Sequence, residues 1–168
     1  MNIFHLVKKY FNFNFKNDCT VNLLLSLTNL LGIFSIFNFI FYKRYILATM
    51  LTVLVIISSL HHLIETNEVG HKLTPVNLSI INKIGYQLRI VDITSACLFT
   101  LLILYFYKIN TIYLFITNYT SIFILGITSS FLCDFVIKED RIFYLLFHSV
   151  WHICVYYIIY NLSLVIDY

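Results

Sequence analysis

The chain has 168 residues, of which 60% are hydrophobic and only 11% are charged, and its mean hydropathy is +0.86. A soluble domain carries roughly 25% charged residues, so this composition excludes a soluble globular protein and predicts a polytopic membrane protein. The net charge of +3 reflects an uneven distribution of basic residues among the loops. It does not indicate a nucleic-acid-binding surface.

Residues 1–20 precede the first long apolar stretch and contain apolar side chains at helical spacing. They are accompanied by two lysines: Ile3, Leu6, Val7, Tyr10 and Phe11, with Lys8 and Lys9. This pattern is typical of a basic helix that lies in the membrane interface. No apolar core follows the lysines directly, so the pattern does not indicate a cleavable signal. We expect a cytosolic interfacial segment over 1–20 and one transmembrane bundle over 21–168.

Five stretches are long enough to cross a bilayer, which takes about 20 apolar residues. In chain order they run from Val21 to about Tyr42, Ile46 to about Ile64, Ile90 to Tyr107, Thr111 to Ile137, and Ile142 to Ile166. The fourth stretch is long enough to be tilted or broken. The sequence therefore predicts an all-α, polytopic transmembrane helix bundle of about five spans.

The only substantial loop lies between the second and third spans. It is interrupted by residues that favour turns, namely Gly70, Thr74-Pro75 and Gly85. Within it, apolar residues recur at helical spacing: Val76, Ile80, Ile81 and Ile84. We therefore predict a short surface helix inside this loop.

The orientation of the bundle follows from the basic residues of the connections, which accumulate on the cytosolic side. With five spans, eight of them share the side of the N-terminus: Lys8, Lys9, Lys16, Lys72, Lys83, Arg89, Lys138 and Arg141. Three fall on the other side: Lys43, Arg44 and Lys108. We expect a cytosolic N-terminus and a C-terminus outside the cell or in a lumen.

Two histidines, His148 and His152, lie inside the last apolar stretch. Residues four apart share one helix face, and polar side chains at membrane depth are costly and usually mark a site. The other buried polar residues fall in the same leaflet: Ser58, His61, His62, Asp92 and Asp134. Histidines from two spans beside an aspartate suit a catalytic zinc with three protein ligands and one open position. The aspartate can orient a ligand or act as a base on water.

Structural roles remain open for several of these side chains. On a helix His61 points about 100° away from His62, and we interpret it as an interfacial residue at the end of its span. The pairings that compete with a site are Asp92 with Arg89, Asp134 with Lys138, and His148 with His152 or with a tyrosine such as Tyr105. For Asp134 we prefer the ordinary helix pair.

The order of these residues resembles the CREST superfamily of intramembrane hydrolases. The matching motifs are Ser58-x-x-x-His62, an aspartate opening the next span, and His148-Ser-Val-Trp-His152. That superfamily includes alkaline ceramidases, adiponectin and progestin receptors, GPI-remodelling factors and a myomaker-like branch. The resemblance implies a zinc ion held by His62, His148 and His152, with Asp92 and Ser58 supporting a water that cleaves a lipid amide or ester.

The superfamily usually has seven spans, with three between the aspartate and the paired histidines, whereas this chain has room there for one. Losing a pair of spans preserves helix direction, so the ligands can still meet at one depth. The chain is therefore expected to be a shortened or divergent member.

We expect an intramembrane zinc-dependent hydrolase of a lipid amide or ester, similar to a ceramidase or a phospholipase. Its cofactor would be Zn²⁺ and its substrate a membrane lipid. One alternative is a non-catalytic, metal-stabilised scaffold or interaction protein related to the myomaker-like branch. Another is a haem-binding membrane protein, since transmembrane histidines also ligate haem. The spacing of His148 and His152 on one helix fits a single small ion better than haem.

Overall fold

The computed structural model describes the backbone of residues 18–64, 75–135 and 141–165, and the side chains of 21–64, 83–132 and 143–165. Its elements are α1 (Asp18–Thr28), a 3-10 turn (Asn29–Leu31), α2 (Gly32–Phe41), α3 (Tyr45–Ile64), α4 (Pro75–Phe106), α5 (Ile109–Asn118), α6 (Thr120–Phe135) and α7 (Arg141–Leu164). No strand occurs among the described residues, which confirms the all-α fold. The predicted interfacial helix lies outside them, apart from the first residues of α1.

Four helical segments are long and apolar enough to cross a membrane, namely Val21–Phe41, Tyr45–Ile64, Lys83–Phe106 and Phe143–Leu164. The first of these, which we call the first span, joins α1, the 3-10 turn and α2. The predicted span over 111–137 is broken, because α5 and α6 meet at an angle of 77°. The break follows Asn118, where the backbone of Tyr119 leaves helical geometry at φ −114° and ψ 20°. The described part of the chain is thus a multi-pass membrane bundle of four spans, or five with the bent pair.

The loop residues predicted to form a short helix are helical, but their helix is continuous with the third span. Helix α4 begins at Pro75 and continues through Gly85 to Phe106. Proline is tolerated in the first turn of a helix, where its missing N–H is not needed. A helical glycine costs only about 1 kcal/mol relative to alanine, which is too little to interrupt a helix of 32 residues.

The centre of the bundle consists of the first span, α3 and α7. Helix α3 packs against α1, α2 and α4, and α7 packs against α1, α2 and α6. Lipid is as apolar as leucine, so such packing depends on close contact rather than on exclusion of water. Gly32 permits this contact, because a Cβ atom there would lie 2.7 Å from both Tyr156 Cε1 and Val55 Cγ2.

Two apolar clusters of buried residues fill this centre. One contains Phe39, Leu51, Val55 and Ile159, among others, and the smaller one contains Val21, Leu25 and Tyr144. In the first span and α7, buried polar side chains come between residues of the two clusters, and in α3 they follow the residues of the larger cluster. We call this region the polar layer: Ser26, Asn29, Ser58, His61, His62 and His152.

The end of α7 farthest from the polar layer is held by a basic residue of the loop after α2. Arg44 Nη2 donates to Val165 O at 2.8 Å, and its guanidinium lies 4.8 Å from the centre of the Tyr107 ring. Tyr107 in turn donates to Leu162 O at 2.8 Å. A cation near the C-terminus of a helix also interacts favourably with the helix dipole. These contacts fix the depth of α7 and hence of its histidines.

Candidate metal centre

Three histidine side chains converge at the polar layer, two of which belong to it, while His148 lies half-buried beside it. His62 belongs to the last turn of α3, and His148 and His152 lie on one face of α7. Their rings are 4.7 Å apart between His62 and His148, 5.1 Å between His62 and His152, and 4.7 Å between His148 and His152, measured between ring centres. One ring nitrogen from each lies within 4.8 Å of the other two. The three residues that sequence reasoning selected as ligands are thus brought together.

The donor set fits a small metal ion. Ligand nitrogens about 2.1 Å from one zinc ion lie about 3.4 Å from one another in a tetrahedral site, and the three histidine nitrogens lie within 4.8 Å of one another. His62 and His152 are buried, with 2% and 6% of their surfaces exposed. Imidazole nitrogens suit zinc, copper, iron and nickel. The cluster can therefore bind a metal ion, and its chemistry leaves several metals possible.

An aspartate and a serine lie beside the cluster. Ser58 lies one helical turn before His62 on α3, and its hydroxyl donates to Asp92 Oδ2 over a long 3.5 Å. Asp92 is half-buried on α4 and does not belong to the group of converging ligand atoms. Its carboxylate thus contacts α3 without belonging to the group of three histidines.

The other polar residues selected from the sequence have different positions. His61 is buried with 8% exposed and lies against His62, with 5.1 Å between the ring centres. His61 is thus covered by its neighbours near the end of α3, and its position at the membrane interface stays a prediction. The Asp134 side chain lies outside the described residues, as does that of Lys138.

Tyr105 does not pair with the histidines of α7. It is 82% exposed and contacts Phe106 near the far end of α4. The aromatic neighbour of His148 is instead Tyr144, one helical turn earlier, with 5.1 Å between the ring centres.

The first span contributes contacts that sequence reasoning missed. Thr28 Oγ1 lies 2.5 Å from His152 Nδ1 and also 2.6 Å from Leu25 O. Tyr156, one turn after His152, donates to Asn29 Oδ1 at 2.9 Å. The available signal was the adjacent polar pair Thr28-Asn29 in the middle of an apolar stretch. Neither side chain carries a charge, so the pair does not by itself indicate a site.

A reciprocal pair of hydrogen bonds joins the first span to α3 within the same layer. Ser26 Oγ donates to Ser59 O at 3.1 Å, and Ser59 Oγ donates to Ser26 O at 3.3 Å. Each serine thus donates to a backbone carbonyl of the opposite helix in partly buried surroundings. The polar layer is held by contacts among all three central segments.

Comparison with known proteins gives no relative. No protein-family model matches the chain, and neither curated proteins nor solved structures give a match. The similarity to the CREST superfamily therefore depends only on the order and types of the site residues.

Proposed function

We propose that the protein is an intramembrane, zinc-dependent hydrolase of a lipid amide or ester. The observation that carries the proposal is the convergence of three imidazoles, two buried and one half-buried, from two membrane-spanning helices. Ionisable side chains within a membrane are expensive and are typical of functional sites. Three protein ligands with a free fourth position are typical of catalytic rather than structural zinc.

The residues around the cluster have distinct roles in the proposed reaction. A bound zinc ion would supply Lewis-acid chemistry to polarise the scissile carbonyl. Asp92 accepts a proton from the water that attacks the carbonyl carbon, and returns it to the alcohol or amine as the C–O or C–N bond breaks. Ser58 donates to one carboxylate oxygen of Asp92, which leaves the other oxygen to accept the proton.

The depth of the site favours a lipid substrate. His148 lies five residues after Phe143, where its span begins, which corresponds to about 7.5 Å along the helix. The hydrocarbon core is about 30 Å thick, so this depth is close to its edge. The amide and ester groups of membrane lipids lie near that edge. A water-soluble substrate would have to leave water to reach the histidines.

The motif order supports the same proposal, since it is similar to that of the CREST superfamily, of which this chain would be a shortened or divergent member. The proposed orientation places the N-terminus in the cytosol, because eight of the eleven basic residues counted above fall on that side. The site would then face the cytosolic leaflet. A reporter fused to the N-terminus should remain cytosolic, and one fused after Tyr168 should not.

The test is turnover by the purified protein in lipid nanodiscs, with a panel of ceramides, phospholipids and GPI lipids. We expect release of a fatty acid from at least one class, loss of release after chelation, and recovery with added zinc. Zinc binding without turnover of any class would instead favour the second candidate, a metal-braced scaffold. That candidate is supported by the way the cluster joins α3 to α7.

Haem is a weaker candidate ligand. The three rings are in direct contact, with ring centres at most 5.1 Å apart, so a porphyrin does not fit between them without separating α3 from α7. The absorption spectrum of the purified protein tests this, because a haem protein has an intense Soret band.

A further inference from the structure

The contact between Thr28 and His152 constrains the position of a proton. The Thr28 hydroxyl has a single hydrogen and lies 2.6 Å from Leu25 O, a backbone acceptor one turn earlier. A carbonyl oxygen can only accept, so that hydrogen is directed to Leu25. The remaining contact, 2.5 Å from Thr28 Oγ1 to His152 Nδ1, is then a hydrogen bond in which the ring nitrogen donates.

We propose that Thr28 is a positioning residue that fixes His152 as its Nδ1–H tautomer and directs the Nε2 lone pair toward the metal ion. This inference rests on the proposed metal centre. A neutral imidazole has one donor and one acceptor nitrogen, and the partner of one nitrogen determines which of them binds metal. Metal-bound histidines usually donate their other N–H to a carboxylate, a carbonyl or water. Here a hydroxyl has that role.

The surroundings of Thr28 explain why a residue of the first span can have this role. The helix tightens into a 3-10 turn directly after it, at Asn29–Leu31. Asn29 is bonded to Tyr156, one turn beyond His152. Gly32 lets the span approach Tyr156 closely. The span therefore takes part in the centre although no ligand comes from it.

The first test compares three variants in lipid nanodiscs. Thr28→Val keeps the shape of the side chain and removes the hydroxyl, and Thr28→Ser restores it. Thr52→Val is the matched control, because Thr52 is half-buried on α3 and donates to its own helix at Ala48 O, as Thr28 does at Leu25 O. The measured quantity is the dissociation constant for zinc, obtained by competition with a chelator.

We expect Thr28→Val to bind zinc 10- to 100-fold more weakly, the usual effect of losing such a supporting hydrogen bond. Thr28→Ser and Thr52→Val should bind as the unmodified protein does. Unchanged zinc affinity in a folded Thr28→Val variant would overturn this inference and leave the metal centre intact. Absence of zinc binding by the unmodified protein would overturn both the role of Thr28 and the proposed metal centre.

A second measurement needs no folded Thr28 variant. Nitrogen-15 spectra of the zinc-loaded protein with labelled histidine report which ring nitrogen carries a proton, and the His152 signals are those missing from His152→Gln. Protonated Nδ1 with metal-bound Nε2 supports the proposal. Metal-bound Nδ1 overturns it.

Discussion

The central helices are packed differently in the two halves of the bundle. In the half that ends near Arg44, apolar side chains such as Phe39, Leu51 and Ile159 fill most of the space between them, beside the small buried Ser35 and Ser163. In the other half, the polar layer interrupts the packing and contains the histidine cluster. Buried polar groups cost free energy unless they are hydrogen-bonded or bind a ligand. The apolar half thus holds the helices together by packing, whereas the polar layer joins them by hydrogen bonds and contains the proposed metal site.

The contrast predicts that substitutions in or beside the polar layer change the hydrolysis rate and the zinc content more than the stability of the bundle. Asp92→Asn should lower hydrolysis by about 10²- to 10⁴-fold, the usual contribution of a general base, while the bundle and most of its zinc are retained. His62→Ala should lose zinc and activity together, because it removes one of three ligands. Rates and zinc contents of both variants, measured on the same preparations, separate the two roles.

Unfolding of the Asp92→Asn variant would contradict this assignment. If, in addition, the unmodified protein hydrolysed no lipid of the panel, Asp92 would be a structural partner within the polar layer, and the metal-braced scaffold would be the better account.

A smaller effect is expected where the two halves meet, at Gly32. Gly32→Ala places a methyl group 2.7 Å from side-chain atoms of Tyr156 and Val55, and such overpacking costs about 1–3 kcal/mol. Gly85→Ala is the matched control, since its Cβ would meet only Ile64 O at 3.9 Å. The control should be neutral or more stable by up to about 1 kcal/mol.

The measurement for this pair is reversible unfolding in detergent, compared with the unmodified protein. Equal changes in the free energy of unfolding for the two variants would contradict the close approach of the first span to α3 and α7.

Much of this fold could be predicted from hydropathy, because a membrane span needs a long apolar helix whatever its neighbours. The start of α4 could not be predicted, since proline and glycine are common both in turns and within or at the start of helices. Pro75 and Gly85 therefore did not distinguish a loop from a helix. At Gly85 the flanking apolar sequence continues the helix. The sequence did not decide whether the stretch that contains Asn118 is one tilted span or a broken one, because its length allows both.

The candidate site also has a part that could be predicted from the sequence, the histidines, and a part that could not, Thr28. The spacing of His148 and His152 dictates that they share a helix face, and their meeting with His62 followed from comparable depth. Thr28 could not be found in this way. A threonine in an apolar helix commonly donates to its own backbone, as Thr52 and Thr100 do, so its sequence context is the same whether or not it also contacts a histidine. Only the packing of the first span against α7 distinguishes it.

The central claim is that three histidines from two helices form one metal site, and zinc content tests it most directly. Elemental analysis of the protein, purified in mild detergent, should give about one zinc ion per chain, as expected for three ligands and an open position. The double variant His148→Ala, His152→Ala should contain none while remaining helical. Absence of zinc from the unmodified protein, or full zinc in the double variant, would contradict the account.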